Sequence, residues 1–250
     1  MIRVAAVGDI HLGPGSEGTL RPAFETVGAH ADLLLLAGDL TRHGTAEEAR
    51  VVAHEVAGLP VPVAAVLGNH DYQSDQEAAV AEELARVGVH VLEGDGVVLD
   101  IDGTKVGVAG TKGFGGGFAG RCASDFGEPE MKSFVQYTRR SANSLRESLH
   151  ELRGAGCAIR IALTHFSPVE DTLAGEPREI YPFLGSYLLA EAVDDAGADL
   201  AVHGHAHAGK EHGMTAGGIR VRNVAMPVID RAFAVYHLSA NGHMRHGAHR

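Results

Sequence analysis

Three short apolar runs, spaced thirty residues apart, constrain what this chain can fold into. Residues 3–7 break off at Gly8-Asp9-Ile10-His11, residues 32–37 at Gly38-Asp39, and residues 62–67 at Gly68-Asn69-His70-Asp71. Asp9 to Asp39 and Asp39 to Asn69 are each 30 residues, and a βαβ unit needs roughly 30. Such short apolar runs suit strands buried on both faces. The intervening segments look helical. Residues 45–57 open on Thr45 as N-cap with Glu47 and Glu48 behind it, and residues 74–87 pair Ser74 with Glu77 in a capping-box pattern. Successive parallel strands would bring their carboxyl ends to one edge, where open α/β sheets hold ligands.

After residue 88 the pattern changes. Residues 96–101 and 105–109 flank Asp102-Gly103, a hairpin turn signal. A glycine-rich loop over 113–120 follows and suggests a lid. A helix is then expected over about 130–153, with Met131, Phe134, Val135, Leu145, Leu149 and Leu152 on its apolar face and Gly154 as C-cap. Residues 158–163 form a buried strand ending at Thr164-His165. Residues 185–196 read as a helix, and residues 199–202 as a strand ending at His203-Gly204-His205-Ala206-His207. Short strands are expected over 219–224 and 231–237. No repeat and no Pro/Ser-rich linker interrupts the chain. We therefore expect a single domain over 1–250, with the loop and long helix at about 111–155 and a polar tail from about 239.

Charge and composition narrow the function. The chain carries 21 Lys and Arg against 32 Asp and Glu, a formal net charge of −11. That balance, with no basic stripe, argues against a nucleic-acid partner. Cys122 and Cys157 are too few for a disulfide scaffold and form no Cys-x-x-Cys pair. The longest apolar stretch, residues 33–37, falls far short of the ~20 residues that span a bilayer, and residues 2–7 read as a strand rather than a signal peptide. A cytoplasmic location without a membrane partner is expected. The unusual count is 16 histidines against 5 tyrosines and no tryptophan, because histidine is the commonest metal ligand and proton shuttle.

Asp9 with His11, Asp39, Asn69 with His70, His165, and His205 with His207 all follow predicted strands. Carboxylates and imidazoles gathered at one buried edge would repel or lie unsatisfied unless cations joined them. A set of oxygen and nitrogen donors without thiolate suits manganese, iron or zinc. A single ion cannot easily use seven such ligands, but two ions sharing one carboxylate can.

These blocks, in this order over residues 8–207, resemble the calcineurin-like metallophosphoesterase family. The resemblance implies an α/β fold, a four-layer α/β/β/α sandwich with two mixed β-sheets. It also implies a binuclear metal centre, with manganese and/or iron expected and zinc the other candidate. Asp9, His11 and His207 would hold one ion, Asn69, His165 and His205 the other, and Asp39 would bridge. A hydroxide between the ions would attack phosphorus in line, and His70 would protonate the leaving group. Within this reading we expect a phosphodiesterase acting on a small or cyclic-nucleotide-like diester, with a phosphomonoesterase as the alternative. A nuclease fits the acidic chain poorly. A non-enzymatic interaction scaffold on the same fold is disfavoured because every ligand position is filled.

The remaining candidates are peripheral. Arg42, His43 and Arg121 are candidate substrate contacts. Asp71 would orient His70 or cap the following helix. His203, two residues before His205, would support the metal ligands from the same side of its strand. The long helix is expected to pack on its own sheet, with a homodimer through it as the other reading.

Overall fold

In a computed structural model of the chain, which describes residues 1–239, the apolar runs become the inner strands of two sheets. β1 (Ile2–Val7) leads through two single-turn helices, α1 (Arg21–Phe24) and α2 (Val27–His30), to β2 (Leu33–Ala37). α3 (Ala46–Val56), β3 (Val63–Val66), α4 (Glu77–Ala85) and β4 (Val89–Val91) follow. β1, β2, β3 and β4 pair in parallel in that order. The hairpin β5 (Asp95–Ile101) and β6 (Thr104–Thr111) opens the second half. Asp102 and Gly103 at its turn both take positive φ, 48° and 76°. A small ribbon, β7 (Gly117–Phe118) and β8 (Arg121–Cys122), precedes the long helix α5 (Pro129–Gly154). Then come β9 (Ile159–Thr164), α6 (Tyr181–Leu184), α7 (Tyr187–Ala196), β10 (Leu200–His203), β11 (His212–Met214), β12 (Arg220–Asn223), α8 (Met226–Ile229) and β13 (Ala234–Leu238).

The strand orders are β13-β1-β2-β3-β4 and β11-β12-β10-β9-β6-β5, so both large sheets are mixed. Alternation along each strand divides the core into layers. Val4, Ala6, Leu33 and Leu35 meet Ile159, Ile161, Leu163 and Val202 between the sheets. The opposite faces, Ala5, Val7, Leu34 and Leu36, pack under α3 and α4 through Val52, Val56, Val80 and Leu84. Ala109, Ala162 and Ala201 on the far sheet lie under Leu145 and Leu149 of α5 and Leu189 and Val193 of α7. Helices outside and two sheets inside make the α/β/β/α sandwich. The polar tail lies almost wholly outside the described residues.

Several local expectations are corrected. Thr45 does close a capping box, accepting from the Glu48 N–H at 3.2 Å while Glu48 accepts from the Thr45 N–H. Ser74 caps nothing. Residues 70–72 form a 3₁₀ turn and Asp75 takes φ 53°, so α4 begins only after Gln76, and Ser74 Oγ donates to His43 O at 2.7 Å. Gly154 is the last residue of α5, and the left-handed position falls to Gly156. The glycine-rich loop is hydrogen-bonded to the segment around α6, with Gly116 N donating to Pro182 O at 2.6 Å and Gly117 N to Gly185 O at 2.9 Å. α5 turns Val135, Thr138, Ala142, Leu145, Leu149 and Leu152 inward, while Met131 at its start is 44% exposed.

The two ends of that face should respond differently. Leu149→Ala, at a fully buried site, should cost about 2–5 kcal/mol in urea denaturation, and Met131→Ala less than about 1 kcal/mol. Equal losses would contradict this packing.

Candidate metal centre

The parallel strands of each sheet release their carboxyl ends at one edge, and the two edges meet. His165 Nδ1 lies 2.9 Å from Ala37 O, and His205 N donates to both Asp9 carboxylate oxygens, at 3.1 and 2.9 Å. Each contact joins a residue following β9 or β10 to one at the end of β1 or β2. The crowding explains the glycines in the motifs. A Cβ on Gly68 would strike the Asp39 carboxylate and backbone, and one on Gly204 would strike the Asp9 carboxylate.

The backbone here is unusual. Asp9, His11, Asp39 and His205 take φ of 57°, 43°, 50° and 70°. They are four of the seven non-glycine residues with positive φ among the described residues. Such conformations are costly and cluster where surrounding structure imposes them for function.

The side chains converge into two groups with a shared member. Ligand atoms of Asp9, His11, Asp39 and His207 lie within 4.8 Å of one another, as do those of Asp39, His165 and His205. Asn69 joins the second group, its Oδ1 being 2.9 Å from His165 Nε2. His207 Nε2 sits 2.9 Å from Asp9 Oδ1. Asp39 is held in place by the His70 N–H, which donates to Oδ1 at 2.8 Å.

The donor set fits cations. His11 Nε2 is buried and has no hydrogen-bond partner, a condition that is costly for a polar atom. It lies 4.0 Å from Asp39 Oδ2. Ala37 O can only accept, so His165 Nδ1 carries a proton and Nε2 is the atom facing Asp39 and Asn69. Burial alone would lower the His165 pKa, but the Asp39 carboxylate raises it to about 9. Burial and the adjacent His165 ring, 4.8 Å away, push His205 down to about 3. Burial also opposes the Asp39 charge, yet His165 and the His70 N–H hold its carboxyl well below the usual range. A positive charge on His165 thus offsets the Asp39 carboxylate as a cation would, at the expense of His205.

The remaining candidates have specific places. Asp71 is fully buried and neither orients the His70 ring nor caps a helix. Its carboxylate accepts from Leu40 N, Thr41 N, Thr41 Oγ1 and Gly68 N at 2.5–3.1 Å. It thereby ties the loop after Asp39 to the loop before Asn69. Burial pushes its pKa up even against those hydrogen bonds. The His70 ring is oriented by Arg42 O, 2.7 Å from Nδ1. Arg42 itself donates from Nε to His11 O at 3.1 Å. His43 is turned onto Glu48, with Nδ1 2.9 Å from Oε1, and anchors the start of α3. His203 does not share a face with His205, because Gly204 ends the strand and His205 turns left-handed. Instead its Nε2 meets Thr172 Oγ1 at 2.8 Å and its Nδ1 donates to Gly204 O at 2.7 Å, with burial lowering its pKa to about 4. Arg121 lies with Met131, Phe134, Pro182 and Phe183 around a cleft of about 660 Å³. Phe183 links that cleft to the centre, its O being 3.3 Å from His205 Nε2, and on its own side of the site the Phe166 ring packs on His205 at 4.3 Å. Sequence reasoning passed over Phe166, although it directly follows His165.

The calcineurin-like phosphoesterase family model matches residues 2–209. This chain belongs to that family. It is accordingly a metal-dependent phosphoester hydrolase by family, with a metal site at the Asp/His cluster. No curated protein sequence matches it. Among solved structures it is similar to the phosphopantetheinyl hydrolase from Mycobacterium tuberculosis, at 15% identity and TM-score 0.64 over 90% of this chain and 89% of that one. It is also similar to a Thermus thermophilus protein, TT1561, at 18% identity and TM-score 0.50 over 90% and 89% of the two chains. A putative 5′-nucleotidase from Staphylococcus aureus aligns at 17% identity and TM-score 0.53, over 89% of this chain and 48% of its own length. These identities show the shared fold alone. No helix among the described residues is long and apolar enough to cross a membrane.

If Asp71 holds the two ligand loops together, Asp71→Ala strands three backbone donors and the Thr41 hydroxyl. The substitution should cost about 2–4 kcal/mol in stability and weaken Mn²⁺ binding in a calorimetric titration. Unchanged Mn²⁺ affinity in a folded variant would separate Asp71 from the centre.

Proposed function

We propose that the chain hydrolyses a phosphodiester at a binuclear centre. Asp9, His11 and His207 would hold one ion, Asn69, His165 and His205 the other, and Asp39 both. The observation that carries the reading is the buried, partnerless Nε2 of His11 beside Asp39, in a cluster whose two donor groups share that carboxylate. Oxygen and imidazole donors without thiolate favour manganese and/or iron, with zinc as the other candidate. When bound, such ions supply positive charge for the phosphoryl oxygens and acidify the attacking water.

The protein's own groups would do the rest. His70 keeps its Nδ1 on Arg42 O, which leaves Nε2 to hold and deliver a proton to the departing ester oxygen. The His11 ring, edge-on to His70 at 4.6 Å, restrains that imidazole. Asp39 anchors the same residue through its N–H. The Arg121 cleft beside His205 gives room for an organic group on the substrate, and a diester carries two such groups where a monoester carries one. The names of the similar structures, a phosphopantetheinyl hydrolase and a putative 5′-nucleotidase, motivate testing both ester classes.

The Mn²⁺-loaded protein should hydrolyse bis-p-nitrophenyl phosphate faster than p-nitrophenyl phosphate. The opposite order would make it a phosphomonoesterase, and no turnover of either would remove the reading. His70→Asn should keep its metal while losing roughly 10²–10⁴-fold in kcat. A near-unchanged rate would take His70 out of the mechanism.

A further inference from the structure

The carboxyl end of β6 delivers a charged residue that none of the strand-end motifs uses. β6 runs parallel to β9 with Thr111 opposite Thr164. The next residues, Lys112 and His165, therefore leave the second sheet side by side. His165 N and Phe166 N both donate to Lys112 O, each at 3.0 Å.

Lys112 is only 5% exposed. Its ammonium lies 4.4 Å from the ring centroid of Tyr72, 5.1 Å from Phe114, 5.3 Å from Tyr137 and 5.8 Å from Phe166. Two of those rings belong to ligand-bearing loops, Tyr72 two residues after His70 and Phe166 next to His165. No described oxygen accepts a hydrogen bond from Nζ. The nearby Glu93 carboxylate is the first counter-charge to Lys112, but the side-chain hydrogen bonds it accepts come from Tyr72 OH at 3.1 Å and Thr111 Oγ1 at 3.4 Å rather than from Nζ. Ring faces attract a cation, but they fill none of its three N–H donors. The side chain is buried, yet Nζ is not among the sealed, partnerless atoms of the described residues, so its donors remain open to an anionic oxygen. Burial lowers the Lys112 pKa, and the charges of Glu93 first and Asp39 second oppose it; what sets the residue at the rim of the centre is its backbone, joined to His165 and Phe166 where β6 and β9 end.

We propose that Lys112 is a substrate-binding residue whose ammonium holds a non-bridging oxygen of the phosphoryl group docked beside Asn69 and His165. The proposal rests on the phosphohydrolase reading above. It assigns a protein cation to a site that otherwise presents carboxylates and imidazoles. The aromatic rings around Nζ hold the lysine where a flexible surface lysine would wander.

The test uses the metal-loaded full chain and inorganic phosphate as the probe. Phosphate affinity by calorimetry is read together with KM and kcat for bis-p-nitrophenyl phosphate, metal content and thermal midpoint. Lys112→Met should weaken phosphate binding and lower kcat/KM by about 10- to 100-fold, the range for a lost charge-assisted hydrogen bond. Metal content should stay at the wild-type value. Lys112→Arg, which keeps the charge but changes the donor shape, should fall between the two. A Lys112→Met protein that melts earlier yet binds phosphate and turns over as the wild type does would overturn the proposal and leave Lys112 as a counter-charge to Glu93. Should Lys112→Met fail to fold, Lys112→Gln decides, because wild-type phosphate affinity in a folded variant without the charge would exclude direct contact. A wild type that turns over no ester would instead defeat the phosphohydrolase reading, while its phosphate titration still reads Lys112 separately.

Discussion

Everything at the reactive edge depends on how closely two sheets approach where their parallel strands end. The His165 ring reaches across to Ala37 O, and the Asp9 carboxylate accepts from the N–H of His205. Those contacts leave no room for side chains at Gly38 and Gly204. At the same edge Asp9, His11, Asp39 and His205 take left-handed backbone. The stability of three apolar layers is what maintains this strain. The sandwich is thus the device that compresses two carboxylates and four imidazoles into a space where they need a cation.

A second tier of contacts holds the compressed groups in register. Asp71 ties the Asp39 and Asn69 loops by four hydrogen bonds. His203 braces the turn into His205 against Thr172, and Arg42 links His11 to His70 through Nε and its carbonyl oxygen. None of these groups belongs to the two donor clusters, yet each fixes one member of them. The cluster is therefore rigid around Asp39 and more open toward His207, whose side chain is 45% exposed.

The parts legible in the sequence were those set by local pattern. Apolar runs ending in Gly-Asp or Gly-Asn-His marked the strands and their termini, because buried strands and crowded turns restrict residue type on the spot. Thr45 and Asp102-Gly103 behaved as their local chemistry dictates. Ser74 did not, because a 3₁₀ turn and a left-handed Asp75 used up the residues before α4. Asp71 was misread as a local device when its partners lie at Leu40, Thr41 and Gly68. Lys112 gained its meaning only when β6 paired with β9, a strand that begins 47 residues after it, and a non-local pairing of that kind leaves no periodic trace. His43 and His203 show the converse. Both are histidines close to the centre in sequence, and both are spent on holding a loop.

The central claim is that Asp39 joins two donor groups into one binuclear centre. Metal content after Mn²⁺ loading and dialysis, measured by elemental analysis on the wild type and on Asp39→Ala, tests it most directly. The account predicts two ions per wild-type chain and loss of both from the variant. A wild type that holds none, or a variant that keeps two, would contradict it.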